Sequence, residues 1–313
     1  MSVLVTGGAG FIGSAIARRL VELGDQVVVL DNLLTGLREN VPEGATFVQG
    51  DLRDRAVVER ACEGIDIVFH QGALRSVPRS VDEPELSLQC NVLGTMNVLL
   101  AAEGAAVRRV VYASSSSVYG DSGLVNREDM PSNPMSPYAV SKLAGEHYCR
   151  VWSRLGRLST VSLRYFNVFG PGQRPESKYS TVFPAFISAL VAGNPPELHW
   201  DGEQSRDFTY IDDVVRANLL AAEADDRVDG EVINIGGGEP KTVNEVLRSV
   251  SDAMGKWIEP ARMPRRPGDV RHTSADISKA GTLLNWKPEM GWKEAVDVTV
   301  RWFQGRSRIK PTR

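Results

Sequence analysis

The chain has 313 residues, 42% hydrophobic and 24% charged, with 36 Lys and Arg against 39 Asp and Glu for a net charge of −3. That composition is one of an ordinary globular chain and excludes a disordered one, and the lack of a basic excess argues against a nucleic-acid partner. The length suits two domains or one large α/β unit with an appended lobe, and three widely spaced cysteines, Cys62, Cys90 and Cys149, give no pattern for a disulfide framework or a bound metal.

The chain opens directly into an apolar, strand-like run, Val3-Leu4-Val5, with no basic leader. No segment approaches the roughly 18 apolar residues of a membrane span, so a cytoplasmic protein without a membrane partner is expected. Short β-branched runs then alternate with segments of helical period. Val3 to Thr6, Val27 to Leu30, Thr46 to Gln49, Ile65 to His70, Arg109 to Ala113 and Thr160 to Arg164 are the strand candidates. Between the first two, Ile12, Ile16, Leu20 and Leu23 share one helical face, and Gly24 can end that helix. Val92 to Ala102, Tyr138 to Leu155 and Trp292 to Phe303 have the same period. The alternation predicts βαβ units, hence an α/β fold with a doubly wound parallel sheet. The turn-rich run from Gly170 to Pro175 breaks the pattern, and a second, smaller lobe is expected to begin there. Met263 to Asp269 reads as a loop, and Arg306 to Arg313 as a solvated basic tail.

Thr6-Gly7-Gly8-Ala9-Gly10-Phe11-Ile12-Gly13 follows the first strand and opens the first helix. It reads as Gly-x-Gly-x-x-Gly through Gly8, Gly10 and Gly13, and as Gly-x-x-Gly-x-x-Gly through Gly7, Gly10 and Gly13. Missing side chains let the backbone turn tightly and approach a pyrophosphate, whose charge meets the helix N-terminal N–H groups. Asp31, ending the second strand, is placed to accept from both hydroxyls of an adenosine ribose, which favours NAD over a cofactor with a 2′-phosphate. Its other reading is a turn-forming Asp before Asn32. Asp51, after the third strand, would either touch an adenine amino group or cap a helix. His70 reads as a satisfied core or loop histidine, and the tryptophans as packing.

Tyr138 and Lys142 form Tyr-x-x-x-Lys, so on a helix they share a face. Upstream, the fifth strand runs into Ser114-Ser115-Ser116-Ser117, at the carboxyl end where open α/β sheets bind ligands. Ionising a phenol of pKa about 10 at pH 7 costs roughly 4 kcal/mol. A cation about 4 Å away at an effective dielectric near 20 supplies a comparable amount. Lys142 is the expected source of that charge, and an oxidised nicotinamide would add a second. Tyr138 would then be a base when a hydroxyl proton must leave and an acid when it must return.

At these residues the chain resembles the extended short-chain dehydrogenase/reductases, and among them the NAD-dependent epimerase/dehydratase family of UDP-sugar 4-epimerases. The similar blocks include His70-Gln71-Gly72-Ala73, Asn91-Val92-Leu93-Gly94-Thr95, Arg164 to Pro171, Gly202 to Phe208, Asn234-Ile235-Gly236 and Arg266-Pro267-Gly268-Asp269. The resemblance implies a Rossmann-like NAD-binding domain over residues 1–168, with 207–235 partly returning to it. Residues 169–206 and 236–305 would form a UDP-sugar lobe, and 306–313 a tail. Ser115 would hydrogen-bond the reacting sugar oxygen, Tyr138 act as acid and base, and Lys142 bind the nicotinamide ribose and lower the Tyr138 pKa. Asn167 would hold the diphosphate side, Arg206 and Arg266 its phosphates, and Asp269 the uridine ribose. Phe11, Ile12, Asn32, Leu52 and Asn91 are expected to complete the cofactor side, and Arg75 and Ser116 the substrate side.

The resemblance also discriminates among reactions. Relatives that eliminate water carry an Asp-Glu pair after the first hydroxyl residue and the decarboxylases a Glu, whereas positions 116 and 117 here are serines. What remains is reversible oxidation at C4, rotation of the 4-keto sugar and reduction from the other face. Thr273 stands where the family has a size gate, and its small side chain implies that UDP-N-acetylglucosamine is accepted as well as UDP-glucose. UDP-glucuronate epimerisation, another UDP-sugar modification, or a non-catalytic NAD(H)-binding regulator are the alternatives. A homodimer is implied, pairing the helices Val92 to Ala102 and Tyr138 to Leu155 across a two-fold axis.

Overall fold

The computed structural model describes residues 1–123, 125–174, 181–265 and 270–307. In chain order the first part comprises β1 (Ser2–Thr6), α1 (Phe11–Glu22), β2 (Gln26–Asp31), β3 (Thr46–Gln49), α2 (Arg55–Cys62), β4 (Ile67–His70), α3 (Val77–Asp82), α4 (Pro84–Leu88), α5 (Gly94–Gly104), β5 (Arg109–Ser115), β6 (Val125–Asn126), α6 (Pro137–Arg154) and β7 (Ser159–Tyr165). Then come β8 (Val168–Phe169), α7 (Val182–Ala192), β9 (Glu197–His199), β10 (Ser205–Arg206), β11 (Thr209–Tyr210), α8 (Ile211–Glu223) and β12 (Glu231–Ile235). The chain closes with β13 (Lys241–Thr242), α9 (Val243–Met254), β14 (Ala261–Met263), β15 (Ser274–Ala275), α10 (Ser278–Leu284) and α11 (Trp292–Ser307).

Seven of these strands form one parallel sheet in the order β12-β7-β5-β4-β1-β2-β3. The alternation of β1 shows why both faces are covered. Val3 and Val5 point into a core shared with Ile16, Leu20, Val214 and Ala217 of α1 and α8. Leu4 points the other way, to Val58, Val98, Leu99 and Trp152 of α2, α5 and α6. A strand buried on both sides needs helices on both sides, which is the doubly wound α/β arrangement expected from the sequence. The strand order reverses on either side of β1, so the crevice for a ligand opens at the carboxyl ends of β1 and β4.

A third core, outside the sheet, gathers Phe169, Phe183, Phe186, Leu198, Phe208, Val246, Leu247 and Val300. Phe169 stacks on Phe183 with ring centroids 4.2 Å apart. Its strands are short ribbons: β10 with β13, β11 with β8, and β14 with β9.

Five local expectations need correction. Leu23 is the C-cap of α1 and 54% exposed, so the buried face of that helix ends at Leu20; Gly24 makes the turn at φ +87°. A π turn occupies Gln89–Leu93, and α5 begins at Gly94 instead of Val92. Ala261–Met263 is a strand, so Met263 does not open the loop. Ala280, Leu284 and Trp286 pack with Val3 and Ile233 in the core of the sheet, although 236–305 is expected in the substrate lobe. The tail also starts later than expected, since α11 continues to Ser307.

Candidate active site

The glycine loop is built as its chemistry requires. Gly7 has φ +65°, and a Cβ there would stand 2.7 Å from Gly72 Cα. A Cβ on Gly13 would stand 2.3 Å from the Gly7 carbonyl oxygen, so α1 packs against the loop only because that atom is missing. Gly72 also lies close to Leu52: a Cβ there would stand 2.7 Å from Leu52 Cδ1. Gly10 is the N-cap of α1 and offers no side-chain hydrogen bond. The first-turn N–H groups therefore have no side-chain cap, and Gly7, Gly10, Phe11, Ile12 and Gly13 line a common cleft with a volume of about 1280 Å³. Drug-sized sites run to roughly 1,000 Å³, so this cleft has room for a dinucleotide and a nucleotide sugar together.

Asp31 lies in the cleft wall at the end of β2. Its Oδ2 accepts from the Ala9 N–H at 3.0 Å and its Oδ1 from the Leu33 N–H at 2.8 Å. Burial pushes its pKa up, and the two N–H bonds act against that. Each oxygen keeps a lone pair for a hydroxyl donor. The turn-forming role of Asp31 is thus present, and it also orients the carboxylate into the cleft. Asp51 is no helix cap, since Asp54 caps α2. Arg53 grips Asp51 through Nε and Nη2 and Asn32 adds a bond at 2.8 Å, which hold its pKa far down. Asp51, Asn32 and Leu52 all line the cleft. A helix N-terminus without a side-chain cap, a glycine-rich loop and a carboxylate at the end of the second strand fit a dinucleotide.

The reaction centre joins β5 to α6. Pro137 as the first helical residue and the Ser136 N-cap, whose side chain accepts from Ala139 N–H at 3.1 Å, start the helix just before Tyr138. Ser115, Ser116, Tyr138 and Lys142 all line the cleft. The Ser115 oxygen accepts from the Ser117 N–H at 3.2 Å and from its hydroxyl at 2.9 Å. Burial pushes the Tyr138 phenol up, while the Ser115 hydrogen bond and the Arg75 charge pull it back. Lys142 is the cation expected to do this, yet its Nζ donates to the Ala113 carbonyl at 2.8 Å. Burial lowers Lys142 to about 8, partly opposed by Cys149 and Glu146. Glu146, one turn along α6, is itself neutralised by buried Arg164 at 2.8 and 2.7 Å and accepts from the Ser114 hydroxyl.

Asn91 behaves otherwise than expected, whereas His70 is as the sequence reads it. Asn91 is expected against the cofactor, but it does not line the cleft. Its Oδ1 accepts from Leu74 N–H at 2.7 Å, and its Nδ2 donates to the Leu74 carbonyl and to Ser141 Oγ. Ser141 in turn donates to the Tyr138 carbonyl, so Asn91 ties the segment after β4 to the helix of Tyr138 and Lys142. His70 is a satisfied core histidine, bonded to Thr6 and Thr95 and held down to about 3 by burial and by Lys142.

Arg75, Asn167, Arg206 and Thr273 line the same cleft. Asn167 Nδ2 donates to the Asp207 carbonyl at 2.8 Å, and Arg206 Nη1 to the Ser205 carbonyl at 2.8 Å. Arg266 and Asp269 lie outside the described residues. Sequence reasoning missed Asp207, fully buried, which accepts from the N–H groups of Ala275 and Gly238 at 3.0 and 3.3 Å and of Gly237. Its only signal was its place in the Gly202-to-Phe208 block. Among the described residues, no group of His, Cys, Asp or Glu is arranged to hold a metal, and no helix is long and apolar enough to cross a membrane.

The sheet, the loop and the tyrosine-lysine pair define a dinucleotide-dependent α/β enzyme of the short-chain dehydrogenase/reductase kind. Residues 3–236 match the NAD dependent epimerase/dehydratase family, and the chain belongs to it. NAD is accordingly its cofactor. Three solved structures are similar over nearly the whole chain. The UDP-glucose 4-epimerase of Thermus thermophilus, in complex with NAD, is 41% identical with a TM-score of 0.91, covering 97% of this chain and 99% of that one. The UDP-N-acetylglucosamine 4-epimerase of Methanobrevibacter ruminantium, in complex with UDP-N-acetylmuramic acid, is 38% identical with a TM-score of 0.93, covering 97% and 98%. MoeE5, in complex with UDP-glucuronic acid and NAD, is 38% identical with a TM-score of 0.90, covering 98% and 100%.

Proposed function

We propose that this chain is an NAD-dependent UDP-hexose 4-epimerase, acting on UDP-glucose and UDP-galactose and on UDP-N-acetylglucosamine and UDP-N-acetylgalactosamine. The observation that carries this reading is the meeting of Ser115, Tyr138 and Lys142 in the cleft of the glycine loop, with serines at 116 and 117 in place of a further acid or base. Bound NAD supplies a hydride acceptor that becomes a donor within the same turnover. Tyr138 takes the proton of the sugar C4 hydroxyl, and Ser115 holds the same oxygen. Once C4 is a ketone, the sugar turns over and Tyr138 returns the proton to the oxygen on the opposite face. Lys142 orients the nicotinamide ribose, and Asp31 accepts from the adenosine ribose.

On this reading the sheet-bearing unit holds the cofactor, and the smaller lobe holds the UDP-sugar. Arg206 and Asn167 face the diphosphate, with Arg266 and Asp269 expected to join them. Thr273 leaves room beside the sugar C2 substituent. Two copies would pair through α4, the π turn and α6, which expose Leu88, Leu93, Val140, Val151 and Leu155. A cytoplasmic location accords with three buried, unpaired thiols, two of them pushed up to about 12 by burial.

One observation favours a second reading, UDP-glucuronate 4-epimerisation. Arg75 lines the cleft near enough to lower the Tyr138 pKa, and beside it stand three consecutive hydroxyls, Ser115 to Ser117, which suit a C6 carboxylate. The test is to incubate the purified protein with each UDP-sugar, follow the sugar by chromatography and watch the nicotinamide absorbance. The proposal expects C4 epimers of UDP-glucose or UDP-N-acetylglucosamine with no net NADH. Turnover of UDP-glucuronate alone would move the assignment to the second reading, and net NADH would make the protein an oxidoreductase.

A further inference from the structure

Trp200, just after β9, has φ +62°, a left-handed conformation that bulky side chains avoid. Its N–H donates to the Met263 carbonyl at 2.9 Å, which holds the residue against the end of β14. Its ring lies close to two guanidinium groups, Arg265 at 4.3 Å and Arg271 at 4.5 Å from the centroid. The negative π-face of an indole attracts such cations. Arg271 is fixed further by Asp201, whose two carboxylate oxygens accept from its Nη1 at 2.8 Å each.

Arg271 is also tied to residues of the cleft. The Arg271 carbonyl accepts from the Ser205 N–H at 2.9 Å and from Arg206 Nη1 at 3.4 Å. Thr273 N–H donates back to the Ser205 carbonyl at 3.1 Å, and Arg206, Val270 and Thr273 all line the cleft. From the strained residue to the cleft there is a continuous path: Trp200 ring, Arg271, then Arg206 and Thr273.

We infer that Trp200 is a positioning residue for nucleotide binding: its ring holds Arg265 and Arg271, and through the Arg271 carbonyl it sets Arg206. The inference rests on the assignment of Arg206 to the substrate diphosphate. Trp200 is not among the residues that line the cleft, so it acts on affinity and not on the chemical step.

The test compares wild type, Trp200→Gly and Trp200→Phe as NAD-loaded protein. Glycine accepts the left-handed backbone and removes the ring, whereas phenylalanine keeps a ring. Expected for Trp200→Gly is a rise of about tenfold in the Kd for UDP and in KM for the UDP-sugar, with kcat changed less than about twofold and NAD retained. Trp200→Phe should restore most of the affinity. Should the glycine variant not fold, Arg265→Gln removes one guanidinium from an exposed position, and a rise of about threefold in the UDP Kd is expected. Unchanged UDP affinity in the readable variant, or Phe no better than Gly, overturns the inference while leaving the proposed function intact. A wild type that binds no UDP overturns the Arg206 assignment and this inference with it.

Discussion

The two parts of the molecule hold their site residues by different means. In the sheet unit, Ser115, Asp31 and the glycine loop sit at the ends of long strands of one continuous seven-stranded sheet, and Tyr138 and Lys142 sit on an 18-residue helix packed against it. In the smaller lobe, Arg206 belongs to a two-residue strand and its guanidinium donates to the Ser205 and Arg271 carbonyls, while Thr273, on a loop, donates its N–H to the Ser205 carbonyl. Groups that exchange a proton need fixed geometry, and rigid elements provide it. On the proposed assignment, the groups that hold the UDP-sugar sit on a short ribbon and a loop, where one substitution would change a contact without moving the reacting atoms.

If chemistry belongs to the sheet unit, Tyr138→Phe should lower kcat by about 10²- to 10⁴-fold while UDP affinity stays within about twofold, as kinetics and calorimetry would read. A comparable loss in UDP affinity would break the division. Trp286 sharpens the boundary: it is 1% exposed, packs in the sheet core and donates from Nε1 to the Asp213 carbonyl at 3.0 Å. Trp286→Ala should therefore destabilise the fold by about 3–5 kcal/mol in a denaturant titration. A loss confined to UDP-sugar affinity would return this segment to the smaller lobe.

Lys142 gives a pH-dependent comparison. Its folded-state pKa is about 8 against the ordinary lysine value of 10.5. Between these values the folded chain binds fewer protons than the unfolded one, so the group's contribution makes stability rise with pH; the penalty is fully present below pH 8. Lys142→Met in the cofactor-free protein should gain stability near neutral pH, by roughly 3 kcal/mol at most, and the gain should shrink above pH 8. A gain that does not vary with pH would show that the lysine is not desolvated. The smallest expected effect lies in the lobe: Thr273→Tyr should reduce kcat/KM for UDP-N-acetylglucosamine about tenfold relative to UDP-glucose. Equal loss for both sugars would remove Thr273 from sugar selection.

The legible part of the fold was the part with a period. Val3, Leu4 and Val5 announced a two-sided strand, and Gly7 and Gly13 announced a loop whose absent Cβ atoms the structure requires. All six strand candidates lie in the sheet, with ends shifted by up to two residues. What the sequence could not reveal was the direction of polar side chains that have several partners to choose from. Asn91 turns inward to Leu74 and Ser141, and Lys142 turns to the Ala113 carbonyl. Asp207 binds backbone N–H groups that are 30 to 68 positions away in sequence. Two- and three-residue ribbons such as β9 with β14 are too short to carry a pattern, so the turn-rich run from Gly170 announced where the smaller lobe begins but not how it is built.

The central claim is that one retained cofactor carries the C4 hydrogen out and back while Tyr138 handles the proton. UDP-glucose labelled with deuterium at C4, incubated with the purified protein in ordinary water, tests it most directly, with the product followed by NMR. The account predicts UDP-galactose that keeps the deuterium at C4, with no NADH released. Product that has lost the label to solvent, or a labelled sugar left unchanged with NAD bound, would contradict it.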